Sequence, residues 1–258
     1  LEHIRGIAPA VVQLDDLDDH VLADVLVLLE EVLFQVLDLL VVALRPLRSR
    51  SVAQVALHLV GHVPDRDELI GGEAVDLTLH AKEAGAQGAL LLSPYYNKPP
   101  QEGLYRHHRA IAEAVEVPQI LYNVPGRTSV DMLPATVARL AQVPNIVGTK
   151  EAKGDLARVR ELVSLGLPEG FALYSGDDAT AREAILAGFI GNISVTANIA
   201  PGAMARMCKA ALAGDAGLAA ELDAPLAGLH RDLFCQASPI PVKWALEQMG
   251  RIGPGIRL

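Results

Sequence analysis

Three residues of this chain have the types and placement to form, or to assist and orient, a covalent step. Lys150 closes the short apolar run Asn145 to Thr149, and a lysine at the inner end of a buried strand loses hydration. Dehydration pushes its amine toward the neutral form, which can attack a carbonyl and form a Schiff base. The alternative is a lysine held in a buried ion pair with Glu151 or Asp177. Tyr122 closes the preceding run, so its phenol could face the same mouth and move protons, or its ring could simply pack. Arg127 follows in a Pro-Gly turn, where a guanidinium could grip a carboxylate through two parallel hydrogen bonds or lie solvated.

Other polar clusters imply less. Ser175-Gly176-Asp177-Asp178 is expected to cap the next helix, since Ser and Asp accept from its free N–H groups. His107 and His108 fall in an amphipathic stretch and should face solvent or packing. His58 and His62 sit four apart, the spacing of two metal ligands on one helical turn, but no Glu follows the first and no third ligand is evident, so the pair is incidental. No Gly-rich phosphate loop follows a strand, and neither a nucleotide cofactor nor a metal is implied.

The elements that must position these residues form a regular rhythm after residue 72. Apolar runs at Gly88 to Leu92, Pro118 to Tyr122, Asn145 to Thr149, Phe171 to Tyr174 and Ile190 to Val195 alternate with amphipathic stretches. Those stretches are Ala74–Ala84, Glu102–Val115, Leu133–Ala141, Asp155–Leu165 and Ala179–Ala187. Such alternation predicts βαβ units and a parallel sheet, with the polar chemistry at the C-terminal ends of the strands. From Pro201 to Met249 the pattern becomes helical, and Gly250, Gly253 and Gly255 resemble a flexible tail.

The first seventy residues contain no Lys, Thr, Asn, Tyr, Trp, Cys or Met, whereas the remainder uses all of them. Val21 to Leu44 is long and apolar enough to span a bilayer, but Asp24, Glu30, Glu31 and Asp38 interrupt it at a cost of a few kcal/mol each. A membrane span is rejected. Helical spacing of Asp24, Glu31, Gln35 and Asp38 predicts instead a helix with a narrow polar stripe. The abrupt change in usage suggests that residues 1 to 72 are a frame-shifted, antisense or misjoined reading.

Composition bounds the partners. The 258 residues carry 22 Lys and Arg against 31 Asp and Glu, a formal charge of −9, and 51% are hydrophobic. That excludes a disordered chain, and the acidic balance offers no attraction to nucleic acid or anionic membranes. Two cysteines, Cys208 and Cys235, cannot build a disulfide framework; both are expected to be buried thiols of a reducing, cytoplasmic compartment. The N-terminus lacks the pattern of a signal peptide, and without an initiator Met it suggests a trimmed or incomplete start.

The segments Ser93-Pro94-Tyr95-Tyr96-Asn97-Lys98-Pro99, Leu121-Tyr122-Asn123-Val124-Pro125-Gly126-Arg127-Thr128, Gly148-Thr149-Lys150-Glu151-Ala152, Ser175-Gly176-Asp177-Asp178 and Pro239-Ile240-Pro241-Val242-Lys243-Trp244 together resemble the 4-hydroxy-tetrahydrodipicolinate synthase family of bacterial lysine biosynthesis. The resemblance runs from about Glu73 to Met249. It implies an α/β fold, a TIM (β/α)8 barrel with a C-terminal helical region, whose first three strands are not recognisable in this chain. The implied division is 1–72 unassigned, 73–198 as barrel strands 4 to 8 with their helices, and 199–258 as a helical region ending short of the family's closing helix.

The resemblance further implies a lyase that condenses pyruvate with aspartate-4-semialdehyde without metal or organic cofactor. Lys150 would be the Schiff-base lysine and Tyr122 the proton shuttle. Arg127 would bind the semialdehyde carboxylate, Ile193 would lie by the pyruvate, and Tyr96 would act across a dimer interface of a homo-oligomer, a dimer of dimers. The family's Gly-Thr-Thr-Gly-Glu turn is missing, since the first threonine is Thr78. A non-catalytic scaffold of the family, or a 2-keto-3-deoxy sugar-acid aldolase of the same superfamily, are the alternatives.

Overall fold

A computed structural model of the protein describes residues 72–255 in full, together with the backbone of two strands at 41–43 and 54–58. By compactness the chain divides into a unit spanning Asp19–Tyr174 and a second that includes Ser175–Leu258.

Strands β1 (Val41–Ala43), β2 (Gln54–His58), β3 (Gly88–Leu92), β4 (Gln119–Asn123) and β5 (Ile146–Glu151) lie side by side in chain order in the first unit, followed by β6 (Ala172–Ser175), of which Ala172–Tyr174 belong to that unit. β1 runs antiparallel to β2, and the pairs β2–β3, β3–β4 and β4–β5 are parallel. The near-continuous apolar run of β3 is what a strand covered on both faces requires. Helices α1 (Gly72–Glu83), α2 (Gln101–Ala114), α3 (Pro125–Thr128), α4 (Pro134–Leu140) and α5 (Leu156–Ser164) connect the strands.

Helix α2 buries Leu104, His107, His108, Ile111 and Ala112, one stripe at helical spacing. From that stripe, Ile111 joins Ala74, Ala89, Leu91, Val115 and Val117 in a core cluster under β3. His107 and His108 thus face packing rather than solvent, with rings edge-on 5.0 Å apart. At β5, a Cβ on Gly148 would meet the Ala172 carbonyl oxygen at 2.6 Å and the Ala172 Cβ at 2.9 Å, so only glycine permits β5 and β6 to approach this closely.

The second unit contains the short strand β7 (Gly191–Asn192) and helices α6 (Ala181–Leu186), α7 (Pro201–Leu212), α8 (Ala216–Asp223), α9 (Ala227–Asp232) and α10 (Ile240–Gln248). Met204, Met207, Ala210 and Ala211 of α7 and Ala219 of α8 are buried where these helices pack together. Asp215 caps α8 by accepting from Leu218 N at 2.9 Å.

Several expectations are corrected. Val41–Ala43 is a strand, so the helix expected over Val21 to Leu44 fails at its end, where two β-branched valines favour extended backbone; residues 21–40 lie outside the described residues. The reading of His58 and His62 as an incidental pair is not among these corrections: His58 ends a strand, and His62 lies outside the described residues. The strand expected over Ile190 to Val195 is reduced to two residues, and beyond it the amides of Val195 and Thr196 are taken by the Asp178 carboxylate. Cys235 is exposed and Cys208 only partly buried, against the expectation of two buried thiols; Cys235 lies in the turn beyond α9.

Candidate active site

The end of β4 lies beside the end of β5 with Tyr122 opposite Lys150 and Asn123 opposite Glu151. Because side chains alternate along a strand, the first pair shares one face of the sheet and the second pair the other. The geometry obeys this pattern. The Lys150 Nζ stands 4.1 Å from the centre of the Tyr122 ring, and Lys150 is only 4% exposed. Strand β5 extends through Glu151, so Lys150 is held within the ladder rather than in the loop after it.

Tyr122 is fixed from the β3 side as well. The Ser93 amide and hydroxyl both donate to the Tyr122 carbonyl, each at 3.3 Å. Burial raises the pKa of the phenol above its usual range, and the positive charge of Arg127 pulls in the opposite direction. Arg127 sits in α3, a single turn started by Pro125 and closed by Ser129, whose φ of 55° is left-handed. The Arg127 side chain is exposed. Tyr96 is 87% exposed in the loop after β3, close in sequence to a left-handed Lys98 with φ of 43°.

On the opposite face, the Asn123 amide nitrogen donates to both oxygens of Glu151 at 3.1 and 3.0 Å and to Asp131 at 3.0 Å. Arg158 of α5 donates to Asp131 through both terminal nitrogens, at 3.0 and 2.8 Å, and to Glu151 at 3.3 Å. The carboxylate of Glu151, considered as an ion-pair partner of Lys150, is therefore engaged by Asn123, Arg158 and the Lys153 amide. Burial is the largest influence on Glu151 and raises its pKa, while the contacts with Asn123, Lys153 and Arg158 oppose it. The residues read from the strand ends as chemical candidates did not include Asn123, Asp131 or Arg158; the alternation that places Tyr122 and Lys150 on one face was the available signal for the first.

In the second unit, Asp177 accepts from Thr180 N at 3.0 Å and its hydroxyl at 2.7 Å, but Thr180 is itself the residue before the first turn of α6, and no side chain of Ser175–Asp178 caps that helix, against the expectation. Asp178 does something else. It accepts from Asn192 at 2.8 Å and from the amides of Val195 and Thr196 at 3.0 and 2.8 Å, bracing the segment that carries Ile193. Thr196 is hydrogen-bonded to His230 Nδ1 at 2.8 Å, and His230 Nε2 lies 3.2 Å from Asp223. The sequence pattern gave Asp178 only a capping role and did not mark Thr196, His230 or Asp223.

Among the described residues no group of three or more His, Cys, Asp or Glu could hold a metal ion, and no helix is long and apolar enough to cross a membrane.

A parallel α/β sheet that brings a buried lysine against a tyrosine ring at its strand ends defines a protein with a candidate imine-forming site. Residues 70–257 match the model of the dihydrodipicolinate synthetase family. The chain is 64% identical over 186 residues to a 4-hydroxy-tetrahydrodipicolinate synthase of Methylococcus capsulatus, covering 72% of this chain and 64% of that protein. It is 56% identical over 212 residues to one of Laribacter hongkongensis, covering 80% and 72%. The solved dihydrodipicolinate synthase of Acinetobacter baumannii, in complex with pyruvate, shares 59% identity at a TM-score of 0.70, covering 72% of this chain and 64% of that one. The enzyme of Aquifex aeolicus shares 43% at the same TM-score, with the same coverage. The chain belongs to the dihydrodipicolinate synthetase family and has its α/β fold class. It spans a little under two thirds of the length of the Methylococcus relative.

Proposed function

We propose that this chain condenses pyruvate with aspartate-4-semialdehyde through an imine on Lys150, as a lyase of lysine and diaminopimelate biosynthesis. The observation that carries the reading is the Lys150 amine 4.1 Å from the Tyr122 ring at matched strand positions. The amine adds to the keto carbon of pyruvate, water leaves, and a protonated imine forms. Loss of a methyl proton gives an enamine whose carbon attacks the aldehyde. Tyr122, its phenol kept protonated by burial, gives and takes the protons of these steps.

Arg127 binds the semialdehyde carboxylate, and Ile193 lines the pyruvate side. The exposed Tyr96 serves across an interface with a second copy in a homo-oligomer, a dimer of dimers. No metal or organic cofactor takes part, and the compartment is the cytoplasm. The relatives named as synthases and the pyruvate-bound Acinetobacter structure support the substrate choice.

Borohydride with pyruvate, followed by peptide mapping, tests the reading. One reduced pyruvate is expected on Lys150, and none on a Lys150→Ala variant; an unmodified Lys150 in the folded protein would refute it. A second reading is a non-catalytic scaffold, favoured by the absence of any threonine before Thr78. Measured condensation by this chain would exclude that reading.

A further inference from the structure

The pairing of β4 with β5 contains an irregularity. Gln119 lies opposite Ile146, but Ile120 lies opposite Gly148, so Val147 is an extra residue and the register shifts between Gln119 and Ile120. Such a bulge offsets the later ladder by one residue and locally disrupts its bonding. A slip of one residue would turn every later side chain to the other face and separate Lys150 from Tyr122.

Beyond the bulge lies a polar clamp. Asn123 bridges to both oxygens of Glu151, and its carbonyl accepts from Ala152 N at 2.8 Å. The Asn123 side-chain oxygen accepts from Met132 N at 2.9 Å. Arg158 closes the group by donating to Glu151, Asp131 and the Met132 carbonyl, and Lys153 stands 3.5 Å from Asp131. Asn123, Glu151 and Arg158 are all buried. A buried ionic group of this kind costs desolvation that its attraction often only repays, and apolar residues of similar volume commonly serve stability as well.

We infer that the Asn123–Glu151 clamp, braced by Arg158 and Asp131, sets the register of β4 against β5 beyond the bulge and thereby holds the Tyr122 ring against the Lys150 amine. These four are positioning residues. The inference rests on the proposed function for what the held pair achieves, but the geometry can be tested without any substrate.

The test uses the full chain and two readouts. In the first, acetic anhydride labels amines across a pH series and peptide mapping reports Lys150. Asn123→Leu and Glu151→Leu are expected to move the half-labelling pH of Lys150 by about one unit, as expected when a nearby group stops interacting with it. Glu151→Gln keeps an acceptor for Asn123 and is expected to match the parent, as is Ile111→Val, a core change under β3 that controls for lost stability. In the second readout, pyruvate trapping on Lys150 should slow roughly a hundredfold in the two leucine variants, the scale of an ångström-sized misplacement.

Parent-like labelling in both leucine variants, or an equal shift in Ile111→Val, overturns the clamp. If Asn123→Leu does not fold, Asn123→Ser removes the bridge with less apolar strain and is judged by the same criteria. A parent chain that fails to trap pyruvate, while its labelling responds to the clamp variants, refutes the proposed function and leaves the clamp standing.

Discussion

Lys150 places its amine 4.1 Å from the centre of the Tyr122 ring, and the two residues are direct partners across parallel strands. A cation that close to an aromatic face is attracted to it, whereas burial favours the uncharged amine. The ring of Tyr122 touches the nitrogen, whereas the proposed proton transfer falls to its hydroxyl, so the two can be tested separately.

Tyr122→Phe separates them. The ring stays, so labelling of Lys150 across pH should match the parent, while the proposed condensation slows by about 10²–10⁴-fold, the usual worth of a positioned proton donor. Steady-state rates alongside the labelling profile check this; an unaffected rate would remove Tyr122 from the proton path.

Arg127→Leu should raise the ionisation midpoint of Tyr122 further, because the guanidinium is the influence that opposes burial at this phenol. An ultraviolet difference titration, with Tyr122→Phe subtracted, measures it. A midpoint that stays in place or falls would show that the charge of Arg127 does not reach the site.

Tyr96 is so exposed that Tyr96→Ala should change the unfolding free energy of the isolated subunit by no more than about 0.5 kcal/mol. If the tyrosine serves a second copy, the same substitution weakens self-association in sedimentation velocity. Equal association constants for parent and variant would contradict that role.

Acid should destabilise the fold through His108. Burial first, then the neighbouring His107, holds its pKa well below the ordinary value of 6.5, so the folded chain keeps the ring neutral. The unfolded chain takes up a proton as pH falls below 6.5 and the folded chain does not. Stability is therefore present above that pH and is lost below it, by about 1.4 kcal/mol per pH unit while the difference lasts. Urea unfolding at a series of pH values should show this slope in the parent and a shallower one in His108→Gln.

Much of this architecture was legible in the residue order, and the exceptions have physical causes. The apolar run of β3 and the stripe Leu104, His108, Ile111 on α2 announce themselves because each keeps the period of its element. Lys150 and Tyr122 were found because they end apolar runs. Their closeness depends on the shift between Gln119 and Ile120, a bulge that no periodicity marks. Arg158 resembled any helix-face arginine; only the meeting of α5 with Asp131 and Glu151 makes it a buried partner. Ile190 to Val195 looked like a strand by composition, but the amides of Val195 and Thr196 at its end are taken by Asp178, a long-range bond invisible to local pattern.

Gly148→Ala should destabilise the fold by about 1–3 kcal/mol, the range for forcing a methyl group into a filled space. Adding Ala172→Gly removes one of the two clashes and should recover part of the loss in thermal unfolding. Full recovery would show that the carbonyl contact is harmless.

The harder of those two clashes is with a main-chain oxygen, and no substitution at position 172 deletes a carbonyl. Position 148 therefore has no mutational route to a larger residue unless the strands themselves part. A glycine retained at the equivalent place by some distant cousin would speak of strand spacing alone and carry no information about which molecule that cousin consumes.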